Sequence, residues 1–174
     1  GTFWMTGGTI TGNATTSAFG SGGGVYNAGT FRMLGGTIAN NAATSAFGGG
    51  VFNSATFRMT GGEISGNTAD YGGGVAGGGG TCTLFGGKIS GNTADSYGGG
   101  VYSTGPSSLT VNGGSFVNNT STVDGAGGGI FATNSVTMNT TDLFEDSTLY
   151  FGAIPTILTD TPIRLSMDAT DAAG

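Results

Sequence analysis

A pair of glycines recurs along the sequence at nearly constant intervals. The pairs begin at Gly7, Gly35, Gly61, Gly86 and Gly113, so successive copies are 28, 26, 25 and 27 residues apart. Around each pair the copies share the consensus T-F-x-M-x-G-G-x-I-x-x-N. After a variable stretch most copies continue with G-G-G-V. Self-similarity with a period of about 20–50 residues is typical of solenoids, whose repeats stack on one another. The repeat therefore constrains the fold more than any other feature does.

Each copy contains three short apolar segments, and no stretch shows the apolar rhythm of a helix. The F-x-M segment alternates with a period of two, which places Phe and Met on one face of a strand. The x-I-x and G-V-Y segments are equally short, and glycine-rich corners separate all three. We predict an all-β fold over residues 1–138, a right-handed parallel β-helix of five to six coils with three short strands per coil.

The repeat decays near the C-terminal end of the sequence. Thr140 and Thr141 stand where earlier copies have Gly-Gly, and Asp146 stands where they have Asn. An uncovered stack of strands is a template for aggregation, so we interpret residues 139–174 as a cap or as a transition to a following domain. The chain also begins inside a repeat, at Gly1, which favours a piece of a longer protein.

An asparagine follows the second apolar segment in five copies. Asparagine tolerates left-handed backbone geometry, and its amide can hydrogen-bond to the same residue in the coils above and below. We therefore predict a structural asparagine ladder formed by Asn13, Asn41, Asn67, Asn92 and Asn119. The segments after these asparagines vary in length, and insertions in solenoids map to loops on one face, which is often the binding face. We interpret as such loops residues 14–21, 42–47, 68–71, 93–97 and 120–126.

The charge balance disfavours several classes of partner. Only Arg32, Arg58, Lys88 and Arg164 are positive, and the formal net charge is -6. Binding to nucleic acid or to anionic lipid requires clustered Lys and Arg, so we predict neither. The sequence contains no run of about 18 apolar residues, which is the length that a transmembrane segment requires. The single cysteine, Cys82, occupies the Phe position of the F-x-M segment, where we expect a buried and inert thiol.

Trp4, Arg32 and Arg58 occupy the same outward position in three successive copies. This arrangement fits a small carbohydrate- or anion-binding surface. It also fits a solvated sheet face with an aromatic ring packed against an arginine stem, which we prefer. No carboxylate column flanks the arginines, so the sequence disfavours lyase or hydrolase chemistry and predicts no catalytic residues. Asp70 and Asp95 could share a Ca²⁺, but we interpret them as surface charge and predict no metal and no cofactor.

Two motifs resemble those of a known family of surface proteins. The G-G-G-V-Y and I-S-G-N segments, and Phe116-Val117-Asn118-Asn119, resemble the GGA(I/L/V) and FxxN repeats of bacterial polymorphic outer-membrane proteins. Gly in place of Ala in the first motif departs from that pattern. More broadly, residues 1–138 look like the pectate-lyase-like adhesin domains of large bacterial and archaeal surface proteins. The resemblance implies an exported protein that is extracellular or at the cell surface, and it transfers no activity.

The expected function follows from that resemblance. We expect a non-catalytic, adhesin-like surface protein that forms a rigid β-helical stalk or display scaffold. Its expected partners are a host cell, a glycan or a neighbouring-cell surface, or further copies of itself. Two alternatives stay open: a subunit of an extracellular filament, and a carbohydrate-binding or carbohydrate-active protein of the pectate-lyase-like type. An enzyme would need a cleft with converging acidic, basic or metal groups, which no column of the repeat supplies.

Overall fold

The computed structural model describes residues 1–16, 21–139, 144–145, 148–152, 156–157 and 165–166. Within these residues there is no helix, and parallel strands form three sheets that stack as a β-solenoid of about five turns. Each coil pairs in register with the next, so that Phe31 lies beside Phe57 and Met33 beside Met59. The all-β parallel solenoid that the repeat predicts is confirmed.

The strands are short, because each coil turns at glycine-rich corners. In chain order they are β1 (Thr2–Met5), β2 (Thr9–Thr11), β3 (Ala14–Thr15), β4 (Val25–Asn27), β5 (Thr30–Met33), β6 (Thr37–Ala39), β7 (Ala42–Phe47), β8 (Val51–Asn53), β9 (Thr56–Met59), β10 (Glu63–Ser65), β11 (Thr68–Tyr71), β12 (Val75–Gly77), β13 (Thr81–Ser90), β14 (Thr93–Tyr97), β15 (Val101–Ser103), β16 (Ser108–Val117), β17 (Thr120–Ser121), β18 (Ile130–Ala132), β19 (Val136–Met138), β20 (Phe144–Glu145), β21 (Leu149–Phe151), β22 (Thr156–Ile157) and β23 (Leu165–Ser166).

The three sheets run along the solenoid, but one of them was not expected. The F-x-M and x-I-x segments share the first sheet, because they are continuous in the ten-residue strands β13 and β16. The G-V-Y segments form the third sheet, in the order β21-β18-β15-β12-β8-β4. The second sheet, β17-β14-β11-β7-β3, consists of segments that the sequence pattern assigned to loops.

The structure corrects those predicted loops to strands. Ala43, Ala69 and Ala94 are buried and pair in register, so these segments bury small apolar side chains between polar ones. A register shift between Ala69 and Tyr71 absorbs the difference in length between coils, as a β-bulge does. Because alanine is a weak apolar signal and the lengths differ, the sequence concealed this alternation. The predicted loops 14–21 and 120–126 are strands over their first two residues, Ala14–Thr15 and Thr120–Ser121.

Matching residues stack along the solenoid axis to form the core. The rings of Phe31 and Phe57 are fully buried, and their centroids lie 5.1 Å apart. Phe3 covers Phe31 from the first coil, although it is itself 49% exposed. Cys82 continues this column as predicted, and burial raises the pKa of its thiol from 9.0 to about 12. The thiol is therefore neutral and unreactive in the folded protein. The next columns contain Met5, Met33, Met59, Leu84, Val111 and Met138, then Ile38, Ile64, Ile89 and Phe116, then Val51, Val75, Val101 and Ile130.

The corner glycines are required for two different reasons. Gly62, the second residue of a Gly-Gly pair, has a φ of 86°, in the left-handed region that side chains with a Cβ rarely adopt. Gly74, the third residue of a G-G-G run, approaches the next coil closely. A Cβ at this position would lie 2.6 Å from the carbonyl oxygen of Gly100. Conformation thus explains one corner and close approach between coils explains the other.

The described part of residues 139–174 continues the parallel pairing. Strand β21 pairs with β18, β20 with β16, and β22 with β19. The substituted positions Thr140, Thr141 and Asp146 lie outside the described residues, as do residues 17–20 of the first predicted loop. The domain boundary after residue 138 stays a prediction.

Candidate functional site

The predicted binding surface lies on the outward face of the first sheet. Trp4 in β1, Arg32 in β5 and Arg58 in β9 are consecutive register partners. Each stands between the inward Phe and Met of its strand. Adjacent strands of a sheet are about 4.8 Å apart, so the three side chains form one column. The structure therefore brings the three residues together.

Aromatic rings hold both guanidinium groups. The Cζ atom of Arg32 lies 5.1 Å from the centre of the Trp4 ring, and that of Arg58 lies 4.1 Å from the centre of the Phe85 ring. Cation–π contacts of this kind contribute about 0.5–1 kcal/mol at exposed sites. Trp4 is 54% exposed and Phe85 41% exposed. Sequence reasoning missed Phe85, although an aromatic residue at an outward position of the repeat was the available signal.

No carboxylate neutralises these two guanidinium groups in the part of the chain that the structure describes. The ion pair found there joins Lys88 Nζ to Glu63 Oε1, at 3.3 Å, on another column of the first sheet. Guanidinium groups are donors only, and their planar arrangement of N–H groups matches carboxylate, sulfate and phosphate. Arg32 and Arg58 therefore present positive charge and free donors to an external anionic group.

The column borders a shallow depression of about 190 Å³ lined by Trp4, Arg32, Leu34, Arg58 and Thr60. Pockets that enclose drug-sized ligands measure about 300–1,000 Å³. This depression is open and smaller, so it suits one anionic group or one protruding side chain. Its lining contains no carboxylate or imidazole to transfer a proton. Trp4, Arg32, Leu34, Arg58, Thr60 and Phe85 are called the arginine–aromatic surface below.

The ladder asparagines form a chain of hydrogen bonds through the coils. Asn67 Nδ2 donates to Asn92 Oδ1 and to the carbonyl oxygen of Ile38, both at 2.9 Å. Asn67 Oδ1 accepts from the backbone N–H of Asn41 at 2.9 Å and from its Nδ2 at 3.0 Å. Asn13 bonds to Asn41 in the same way, and all members of the ladder except Asn13 are buried. These side chains bond each coil of the ladder to the next.

The sequence pattern predicted left-handed backbone geometry at the ladder asparagines. The structure has this geometry one residue earlier. Asn40, Gly66 and Asn118 have φ angles of 55°, 62° and 53°. Each directly precedes a ladder asparagine. The available signal was the restriction of this column to Gly and Asn, the residues that adopt positive φ most readily.

Sequence analysis also missed a second column, in which two asparagines are stacked. Asn27 Nδ2 donates to Asn53 Oδ1 at 2.7 Å, and both side chains are buried at the end of the G-V-Y strands. The next coil has Gly77 in this column, which ends the pair. Because the four later coils have Gly77, Ser103, Ala132 and Phe151 in this column, the repeat pattern carried only a weak signal.

All five tyrosines of the chain take part in aromatic contacts around the G-G-G corner. Tyr71 and Tyr97, from the second sheet, stack with ring centroids 6.0 Å apart. Tyr102 and Phe131, from the third sheet, meet them across the corner at 5.3 and 4.6 Å. Rings of the second and third sheets therefore pack against one another across the corner. Sequence reasoning missed this cluster, although an aromatic residue precedes several G-G-G runs.

Carboxylates adjoin these tyrosines on the second sheet. Asp70 accepts a hydrogen bond from Ser96 Oγ at 2.6 Å, and Asp95 is exposed. They belong to adjacent coils, because Tyr71 pairs with Tyr97. No group of three or more His, Cys, Asp or Glu residues among the described residues is arranged to hold a metal ion. Asp70, Tyr71, Asp95, Ser96 and Tyr97 are called the tyrosine–aspartate surface below.

The fold defines the class of this chain as a parallel β-solenoid repeat protein. Comparison with protein-family models, with curated proteins and with solved structures found no match. None of the described residues forms a helix of the length and apolarity that a membrane crossing requires.

Proposed function

We propose that this chain is a non-catalytic structural protein of the cell surface or the extracellular space, in which the solenoid is a rigid, adhesin-like stalk or display scaffold. The observation that carries the proposal is the continuity of the columns from coil to coil. Phe31, Ile38 and Asn67 each have a matching neighbour in the next coil, and each is fully buried. Residue identity at these positions follows from stacking and requires no reaction.

Continuous columns favour a stiff rod. Neighbouring coils are bonded by backbone pairs in up to three sheets, and the asparagine ladder joins the coils from Asn13 to Asn119. In a solenoid each repeat contacts only its neighbours, so length adds reach without changing the local structure. The buried columns of the core stay apolar from coil to coil, whereas outward side chains change in charge and polarity and can contact a partner. A rod with an apolar interior and a variable exterior suits display.

Surface labelling tests this proposal. Antibodies raised against the purified chain should label intact cells of the source organism, or the material that those cells release, without permeabilisation. Labelling that requires permeabilised cells would contradict a surface location. Incubation of the chain with acidic and neutral polysaccharides should release no reducing ends and no unsaturated uronate. If the wild-type chain cleaves such a polysaccharide and Arg32→Gln/Arg58→Gln abolishes the cleavage, the chain is a carbohydrate-active enzyme and the scaffold proposal is wrong.

The two alternatives, a filament subunit and a carbohydrate-binding or carbohydrate-active protein, stay predictions. Carbohydrate-active chemistry has the weaker support, because the lining of the arginine–aromatic depression has no general acid or base. Binding without chemistry needs only complementary charge and shape, which that surface offers.

A further inference from the structure

We propose that copies of this chain associate side by side, with the arginine–aromatic surface of one copy docked on the tyrosine–aspartate surface of the next. This goes beyond the display function, since it assigns a partner to two surfaces that the scaffold itself does not use. The occupant of each surface is a second copy of the chain, and complementary charge is the first reason.

Each surface has charge that its own coils leave unbalanced. Arg32 and Arg58 contact aromatic rings, and no carboxylate of the described residues pairs with either. On the second sheet, Asp70 bonds to Ser96 and no described cation pairs with Asp70 or Asp95. Two like charges on neighbouring coils repel one another, so an opposite pair from outside relieves both surfaces.

Each charge pair lies on two adjacent coils. Arg32 and Arg58 are register partners one coil apart, and Asp70 and Asp95 lie on paired strands one coil apart. Adjacent coils are about 4.8 Å apart at the backbone. Arg32 turns toward Trp4, Arg58 turns toward Phe85, and a register shift follows Ala69, so the charged groups are spaced less regularly than the backbone. Two solenoids whose axes lie side by side therefore place the strip with both arginines opposite the strip with both carboxylates. Arginine and carboxylate form parallel hydrogen bonds that strengthen such a match.

Apolar contact is available beside the charges. Leu34 is 45% exposed, and Trp4 and Phe85 are also exposed on the first surface. On the second surface, Tyr71 and Tyr97 present stacked rings. Tyrosine, tryptophan and arginine are the residues that most often carry binding energy at interfaces. The arginines are already held against rings, so docking restricts them less than it would restrict free side chains.

The two surfaces differ, so the contact is heterologous. Each copy would use its arginine–aromatic surface toward one neighbour and its tyrosine–aspartate surface toward another. A heterologous contact that does not close into a ring extends without limit. Stalks would then assemble into lateral rows, which differs from growth at the ends of the coils.

Two charge-neutralising variants test the proposal by sedimentation velocity. Arg32→Gln/Arg58→Gln disables the first surface, and Asp70→Asn/Asp95→Asn disables the second while an asparagine oxygen still accepts from Ser96. All four positions lie on outward faces, and equal melting temperatures and circular dichroism would show that the variants fold. Lys88→Gln is the matched control, because it removes a charge from a different column.

The wild-type chain should form a concentration-dependent series of oligomers at about 0.1 M NaCl. Association should weaken at least about tenfold at about 1 M NaCl, where the Debye length falls from about 10 Å to about 3 Å. Each double variant alone should be monomeric, and Lys88→Gln should behave as wild type. An equimolar mixture of the two double variants should give dimers and nothing larger, since one intact surface of each kind remains.

Several outcomes would overturn lateral association. These are a wild-type chain that stays monomeric at all concentrations, double variants that still assemble, or a mixture that grows beyond dimers. Saturable binding of an acidic oligosaccharide by a monomeric wild type, lost in Arg32→Gln/Arg58→Gln, would assign that surface to a glycan instead. In each of these cases the display function would stand, because surface labelling tests it separately.

Discussion

Replacing Asn67 by alanine tests whether the asparagine ladder holds the coils together. The side chain makes four hydrogen bonds, two as donor to Ile38 and Asn92 and two as acceptor from Asn41. It has no exposed surface, so bulk water cannot replace these partners. Alanine removes all four bonds and leaves the backbone N–H of Asn41 without its acceptor.

The expected loss of stability follows from the groups that lose partners. A buried donor or acceptor left unsatisfied costs about 1–3 kcal/mol. The backbone N–H of Asn41 and the carbonyl oxygen of Ile38 both lose the Asn67 side chain, and one N–H of the Asn41 amide loses its acceptor. We expect a decrease in the free energy of unfolding of about 3–4 kcal/mol, a large part of the 5–15 kcal/mol that is typical of roughly domain-sized proteins.

Urea unfolding at neutral pH measures this change. Circular dichroism reports all coils, and fluorescence of Trp4, the only tryptophan, reports the first coil. Asn13→Ala is the matched control, because Asn13 is exposed and lies at the end of the ladder. Its loss should cost about 1 kcal/mol or less. If Asn67→Ala and Asn13→Ala have equal effects, the ladder contributes little and the reasoning from buried polar groups is wrong.

Three further predictions concern the core, the corners and the thiol. Phe57→Ala should lower the free energy of unfolding by about 3–5 kcal/mol, because the ring is fully buried. Phe3→Ala, at a half-exposed site, should lower it by about 1 kcal/mol. Urea unfolding of both variants checks this difference. Gly74→Ala should lower the free energy of unfolding by at least about 2 kcal/mol, because the new Cβ would collide with backbone atoms. Gly7→Ala should leave stability nearly unchanged, because a Cβ there meets nothing within 4 Å. Equal melting temperatures of the two variants would contradict this prediction. Burial raises the pKa of Cys82 from 9.0 to about 12, so the unfolded thiol ionises first. The contribution of Cys82 to stability should therefore be complete below pH 9 and decline as pH rises toward 12, and Cys82→Ala should remove that part of the slope. An aromatic disulfide reagent should label this thiol only in denaturant.

The columns were predictable from sequence because each depends on residues one repeat apart. Phe31 stacks on Phe57, and Arg32 lies beside Arg58, for the same reason: the repeat length sets which residues are register partners. Once strands of equal length stack in parallel, like residues at equal offsets must become neighbours. The sequence could therefore predict the solenoid, the buried cysteine and the three-residue surface column.

The contacts that the sequence missed depend on the path between columns. Tyr97 meets Phe131 across a glycine corner, and neither their separation in sequence nor their residue types predicts that contact. Arg58 contacts Phe85 on a diagonal between neighbouring coils, which depends on the rotamers of both side chains. The second sheet was missed because its inward residues are alanines, which mark a strand weakly.

Sequence alone determined the period, the order of the columns and the places where only glycine fits, because these follow from local sterics repeated at a fixed interval. Tertiary structure decided how sharply each corner turns, and hence which outward side chains lie near one another. It thereby placed Arg32 and Arg58 on the first sheet and Asp70 and Asp95 on the second. The physical reason is that stacking acts along the axis, between equivalent residues, whereas surfaces form around the axis, between residues that no repeat relates.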